Sequence, residues 1–122
     1  MPKPVGPDTI AASFQSAAYI AMSTHRPAPP EKPRVLIRYC PLCGWLLRSS
    51  WMAQELLTTF QEELGEVTLQ PAGSGLFEIW VDDTLIWCRK RDGGFPDIKI
   101  LKQRVRDQVC PDRSLGHSDK TS

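Results

Sequence analysis

A strand-like run, Val35-Leu36-Ile37-Arg38-Tyr39, leads straight into a long amphipathic segment spanning residues 41–64. This junction constrains the fold more than any other feature. A strand that feeds a long helix cannot return as a hairpin, so the next strand must lie parallel to it across a right-handed crossover. The run is apolar and β-branched with little alternation, the pattern of a strand buried on both faces and central in its sheet.

In the amphipathic segment Leu42, Leu46, Ala53, Leu56, Leu57, Phe60 and Leu64 recur mostly at spacings of three and four, with Glu55, Gln61, Glu62 and Glu63 between them. That spacing predicts a helix of about six turns. Pro41 suits its first position and Gly65 the left-handed residue after its end. Glu66-Val67-Thr68-Leu69-Gln70 alternates as a second strand, and Pro71-Ala72-Gly73-Ser74-Gly75 reads as a loop. Leu76 to Val81 and Thr84 to Cys88 form an antiparallel hairpin about an Asp82-Asp83 turn. A charged, glycine-broken loop at residues 89–96 precedes a shorter helix marked by Ile98, Leu101, Val105 and Val109. The expected fold is a mixed α/β (α+β) sandwich of order β-α-β-β-β-α, a four-stranded mixed sheet covered by two helices.

Pro27, Pro29, Pro30 and Pro33 exclude regular helix, so residues 1–33 read as a flexible extension and linker, residues 34–110 as the domain and residues 111–122 as a polar tail. Met22 opens MSTHRPAPPEKPR, a plausible N-terminus, so residues 1–21 are expected to be dispensable. The stretch from Ile10 to Met22 is too short to span a bilayer and a poor export signal. With 15 basic and 14 acidic residues the net charge is +1, which provides no bulk field for nucleic acid or an anionic membrane. Four cysteines beside a credible core do not resemble a disulfide scaffold, so a reducing, cytoplasmic setting is expected.

The chemistry lies in Cys40-Pro41-Leu42-Cys43 at the strand-helix junction. A thiolate flanking the first turn of a helix meets free N–H groups and the positive end of the dipole, which should lower its pKa. Two cysteines three apart can also close a small disulfide ring, so the pair can cycle between dithiol and disulfide.

The ordered set Tyr39-Cys40-Pro41-Leu42-Cys43-Gly44, Ser74-Gly75-Leu76-Phe77-Glu78-Ile79 and Arg89-Lys90-Arg91-Asp92-Gly93-Gly94-Phe95-Pro96 resembles the Rdx group of the thioredoxin-like superfamily. That group comprises relatives of selenoproteins W, T and H, and this chain is similar to a bacterial, cysteine-containing form over about residues 34 to 112. The resemblance implies a thioredoxin-like fold and thiol-disulfide redox chemistry in cell redox homeostasis. It also implies thiol or disulfide partner proteins, with glutathione or a peroxide as small partners. No organic cofactor and no metal are expected. Selenocysteine in the relatives aligns with Cys43, whereas thioredoxins attack through the position of Cys40. Helix-end geometry favours Cys40, taken as the exposed junction, and the two analogies leave the nucleophile open. Thioredoxins also set a cis-proline beside the disulfide. Pro71 lies at the wrong end for that role, and Gly73, Ser74 and Gly75 are the expected substitute, either as a substrate approach or as a simple strand connection. Pro41, Leu42 and Trp45 are the other expected partner-facing residues, Trp45 having helix-to-sheet packing as its other role.

Other classes find little support. A closed zinc site needs about four ligands, and Cys88 and Cys110 do not form a second C-x-x-C. Cys88 reads as a small apolar filler and Cys110 as exposed. His25 and His117 fall in the polar ends, away from a Cys-His nucleophile. Asp82-Asp83 and Glu62-Glu63 read as a turn and a solvated face. No phosphate loop or dinucleotide fingerprint occurs. Trp80 and Trp87 are expected to pair across the hairpin, and Arg89-Lys90-Arg91 to be a solvated turn. A non-catalytic interaction module and a metal-binding protein are the competing functional readings.

Overall fold

Six residues of the first strand run make β1, Arg34–Tyr39, and its burial alternates: Val35, Ile37 and Tyr39 are buried while Arg34, Leu36 and Arg38 reach solvent. The computed structural model describes residues 26–116. The expectations for residues 1–21, His25 and His117 lie outside that range. β1 pairs in parallel with β2, Glu66–Pro71, and antiparallel with β3, Phe77–Val81, which pairs antiparallel with β4, Thr84–Cys88. The sheet order β2-β1-β3-β4 makes β1 central, as expected. Burial on both faces was also expected and is not found. Arg34, Leu36 and Arg38 lie on an open face, where Arg38 bonds to Glu78 at 3.0 Å and to Gln70 at 2.7 Å.

The long helix starts later and ends earlier than its periodicity suggested: α1 is Leu46–Thr59. Residues 41–44 form a turn, closed by a Gly44 N–H bond to the Pro41 carbonyl at 3.2 Å. Gly44 has φ +76°, a left-handed value that stops the helix from extending back to Pro41. The buried face is Ser49, Met52, Ala53 and Leu56, continuing into Phe60 and Leu64. Leu42, Leu46 and Leu57, expected on that face, are exposed. Gly65 is not left-handed. It is required because a Cβ there would meet Pro30 Cβ at 2.5 Å and the Lys32 carbonyl at 3.0 Å. The end of the proline stretch is therefore docked on the domain, and the Gly65 N–H also bonds the Pro33 carbonyl at 2.8 Å.

The β3-β4 pairing carries a bulge. Ile79 faces Trp87 and Trp80 faces Leu85, so Ile86 is the extra residue and both Ile86 and Trp87 are buried. The bulge separates Trp80 from Trp87, and the expected cross-hairpin pair does not form. Trp80 donates instead to Glu78 at 3.1 Å, while Trp87 donates to the Gly94 carbonyl at 2.9 Å beneath the Arg104 guanidinium.

Residues 89–92, expected as loop, form a short helix α2, Arg89–Asp92. The last helix, α3, Ile98–Val109, begins at Asp97, whose carboxylate accepts the Lys99 N–H at 2.8 Å. Leu101 and Val105 of α3 join Met52, Leu56 and Phe60 of α1 and Val35, Ile37, Phe77 and Ile79 of the sheet in one core. Lys102 ties α3 to Glu55 of α1 at 2.8 Å. Among the described residues the result is a four-stranded mixed sheet with three helices, consistent with a thioredoxin-like fold.

Candidate redox site

β1 ends at Tyr39 and delivers Cys40 into the floor of the turn that precedes α1. Cys40 is 1% exposed, whereas Cys43 is exposed. The two are disulfide-bonded, with Cα atoms 5.4 Å apart. Two expectations change here. The first helical residue is Leu46 and the N-cap is Trp45, so neither cysteine sits in the first turn of the helix. Moreover, the sulfur at the surface is Cys43, because β1 must bury its last residues against the core and Cys40 follows Tyr39 inward.

Trp45 lies edge-on to Phe77 at 6.4 Å and to Phe95 at 4.9 Å, and Phe77 and Phe95 are 4.9 Å apart. Arg48 stacks on Phe95 at 4.3 Å, and Arg89 lies 5.0 Å from the Trp45 ring. Edge-to-face pairs of this kind contribute about 0.5–1.5 kcal/mol each beyond area burial, so the rings fix the chain on the far side of Cys43. Arg89 is therefore not the solvated turn residue expected from sequence; Lys90 and Arg91 are exposed. Phe95 and Arg48 were missed as site residues, although Phe95 stands in the Gly-Gly-Phe-Pro motif that carried the resemblance.

Trp45 is half-buried within this cluster, while Pro41 and Leu42 are exposed beside Cys43. Register brings Pro71 opposite Tyr39, and the Ala72 N–H bonds the Tyr39 carbonyl at 2.7 Å. Pro71 thus reaches the same end of the sheet as the thiols rather than the wrong one, and no cis peptide occurs among the described residues. The Leu76 N–H donates back to the Gly73 carbonyl at 3.2 Å, and Ser74 and Gly75 line a small cavity of about 90 Å³ with Phe77, Glu78, Cys88 and Lys90. Cys40 and Cys43 do not line it. Cys88 is half-buried, and its N–H bonds Asp92 at 2.9 Å. Cys110, expected to be exposed, is half-buried against the core; burial, then the Glu63 charge, pushes its thiol up. Among the described residues no three His, Cys, Asp or Glu side chains are grouped to hold a metal ion.

The Rdx family model matches residues 34–107, the stretch that holds the sheet, the thiols, α1, α2 and all but the last two residues of α3. The chain belongs to the Rdx family. A crystal structure of a Bordetella parapertussis protein is 54% identical, with a TM-score of 0.64, covering 65% of this chain and all of the other. That of a selenoprotein W-related protein from Vibrio cholerae is 52% identical, with a TM-score of 0.63, covering 64% of this chain and 98% of the other. Migration and invasion enhancer 1 from Bos taurus is 28% identical over 75 residues, 60% of this chain and 62% of the relative. The Mus musculus protein of that name is 28% identical over 74 residues, 59% of this chain and 61% of the relative. The match thus spans less than two thirds of either mammalian protein.

Proposed function

We propose that this Rdx protein performs thiol-disulfide exchange in the cytoplasm, with Cys43 as the sulfur that meets the partner and Cys40 as the resolving thiol. One observation carries the reading: the two bonded sulfurs differ in access, Cys40 being buried and Cys43 exposed. In the dithiol form the Cys43 thiolate attacks one sulfur of a substrate disulfide. A Cys43–substrate bond forms, and the other substrate sulfur leaves as a thiolate and takes a proton. The Cys40 thiolate then attacks the Cys43 sulfur, closing the Cys40–Cys43 bond and releasing the second substrate thiol. Two electrons pass to the substrate, and a thiol reductant restores the dithiol. These steps require no organic cofactor. Partners are thiol or disulfide proteins, with glutathione as a small thiol. No helix among the described residues is long and apolar enough to cross a membrane.

Trapping tests the assignment. Cys40→Ser should accumulate mixed disulfides through Cys43 in cell extract, and Cys43→Ser should not; the reverse pattern would overturn the order of attack. A non-catalytic interaction module is the second reading, favoured by the exposed Leu42 and Leu47. It predicts no adduct with either variant.

A further inference from the structure

The thiol end carries two features that exchange with a small disulfide does not need. One is apolar. Leu42 is 93% exposed and Leu47 82%, with Leu46 and Trp51 about half exposed. Leu47 and Trp51 are one turn apart on α1, away from its buried face of Ser49, Met52 and Ala53, and Leu42 stands in the turn immediately before them. These exposed apolar side chains all fall between residues 42 and 51, flanking Cys43 in the chain. Contiguous exposed apolar surface marks contact sites.

The other feature is charge. Residues 40–54, 71–77 and 88–91, which converge at this end, contain no Asp or Glu, and the carboxylates that border them are engaged within the chain: Glu55 by Lys102, Glu78 by Arg38, and Asp92 by Arg91 and the Cys88 N–H. Arg48, Arg89 and Lys90 pair with no carboxylate among the described residues, and the Arg89 Nε is buried without an acceptor there. Other cations are matched: Arg38 pairs with Glu78, Lys102 with Glu55 and Arg113 with Glu63. Exposed cations that lack counter-charges, Arg48 and Lys90 above all, suit carboxylates supplied from outside.

We propose that this face docks an acidic, apolar segment of a client protein, which brings its own cysteine to Cys43. Leu- or Phe-sized side chains cover Leu42, Leu47 and Trp51, and flanking carboxylates meet Arg48, Arg89 and Lys90. The inference rests on the exchange reading and names its substrate class. Leu47 to Trp51 alone rises about 6 Å along α1, so these side chains call for several residues of a protein rather than a tripeptide thiol.

The test uses the full chain and synthetic peptides with one cysteine between two leucines, flanked by Glu, Gln or Lys, and presented as disulfides with 2-mercaptoethanol. Bis(2-hydroxyethyl) disulfide is the small neutral control. The Glu peptide should react at Cys43 about tenfold faster than the Lys peptide at low salt, an advantage lost at about 0.5 M salt. Arg48→Gln with Lys90→Gln should abolish that advantage. Leu47→Ser with Trp51→Ser should slow every Leu-flanked peptide several-fold, with an unchanged urea midpoint showing that the fold survives. Equal rates for Glu and Lys peptides, or oxidised glutathione reacting as fast as the Glu peptide, would overturn the proposal and leave exchange standing. Should the small control fail to react, the exchange reading falls. Fluorescence anisotropy of the same peptides with Ser for Cys then decides docking alone: a Glu-over-Lys preference supports it, and none overturns it.

Discussion

The two ends of the sheet are built to different rules. At the end where β1 begins, polar groups satisfy one another. The Arg34 N–H donates to the Asp82 carboxylate at 3.0 Å, the Asp82 N–H returns to the Arg34 carbonyl at 2.9 Å, and Thr68 donates to Glu66 at 2.8 Å. Even the open cleft of about 260 Å³ there is lined by both signs of charge, Arg26 and Arg34 with Glu66 and Asp82. At the end where β1 stops, cations stack on rings, leucines face water and one guanidinium nitrogen is buried without an acceptor. The first end closes the hairpin onto β1, and the second leaves cations and leucines unmatched among the described residues. Unmatched polar and apolar groups, not cavity size, distinguish the thiol end.

The strongest way to break this contrast is to remove the ring that both roles share. Phe77 is 1% exposed and touches Trp45 and Phe95. Phe77→Ala should cost about 3–5 kcal/mol in urea unfolding, the range for a buried aromatic truncation. Because Trp45 loses its support, exchange at Cys43 should change as well. A variant that loses less than about 1 kcal/mol would show that the cluster is not part of the core.

A smaller effect is expected at the other end. Asp82 has φ 50°, a left-handed value that Asp tolerates, and its carboxylate accepts the Arg34 N–H. Asp82→Ala removes the acceptor and keeps the unfavourable φ, so it should cost about 1–2 kcal/mol. Asp82→Asn keeps an acceptor oxygen and should fall within about 0.5 kcal/mol of the parent chain. Neither should alter exchange with a small disulfide. A changed exchange rate would erase the distinction between the ends.

Much of this architecture was legible in local sequence. The four strands, the central place of β1, the hairpin and α3 follow from periodicity and turn residues, and the Cys40-Cys43 pair from its spacing. What escaped depends on contacts distant in sequence. The helix start was misplaced because Gly44 is compatible with a helix by pattern, and only its left-handed φ shows that it ends a turn. Leu42, Leu46 and Leu57 fit a helical stripe, yet Ser49 and Met52 are the residues turned inward, since the sheet sets the rotation of α1. Alternation could not reveal the bulge that parts Trp80 from Trp87. Which cysteine is buried is likewise fixed by where β1 ends against the core, which spacing alone does not encode.

The least costly probe of the thiol end is Asp92, the carboxylate that spends the local positive charge in a structural role. The hydrogen bond from the Arg91 guanidinium, followed by that from the Cys88 N–H, holds its carboxyl below the usual aspartate value. A lowered pKa in the folded state means that the ionised form favours folding. The contribution is fully present above the unfolded value of about 3.9 and disappears as pH falls through the lowered folded value. Asp92→Asn should therefore reduce stability by a constant amount between about pH 5 and 8, and the two chains should converge in more acidic solution. The gap should be small, because Arg91 is half exposed and solvent screens the pair, while an Asn oxygen can still accept the Cys88 N–H. Urea midpoints at about pH 7 and pH 2.5 measure the gap directly. A gap that widens in acid would reverse the sign and place the stabilising charge elsewhere. If Asp92→Asn also raises the Glu-over-Lys peptide preference, then Arg91, freed of its carboxylate, has joined the unpaired cations that face the client.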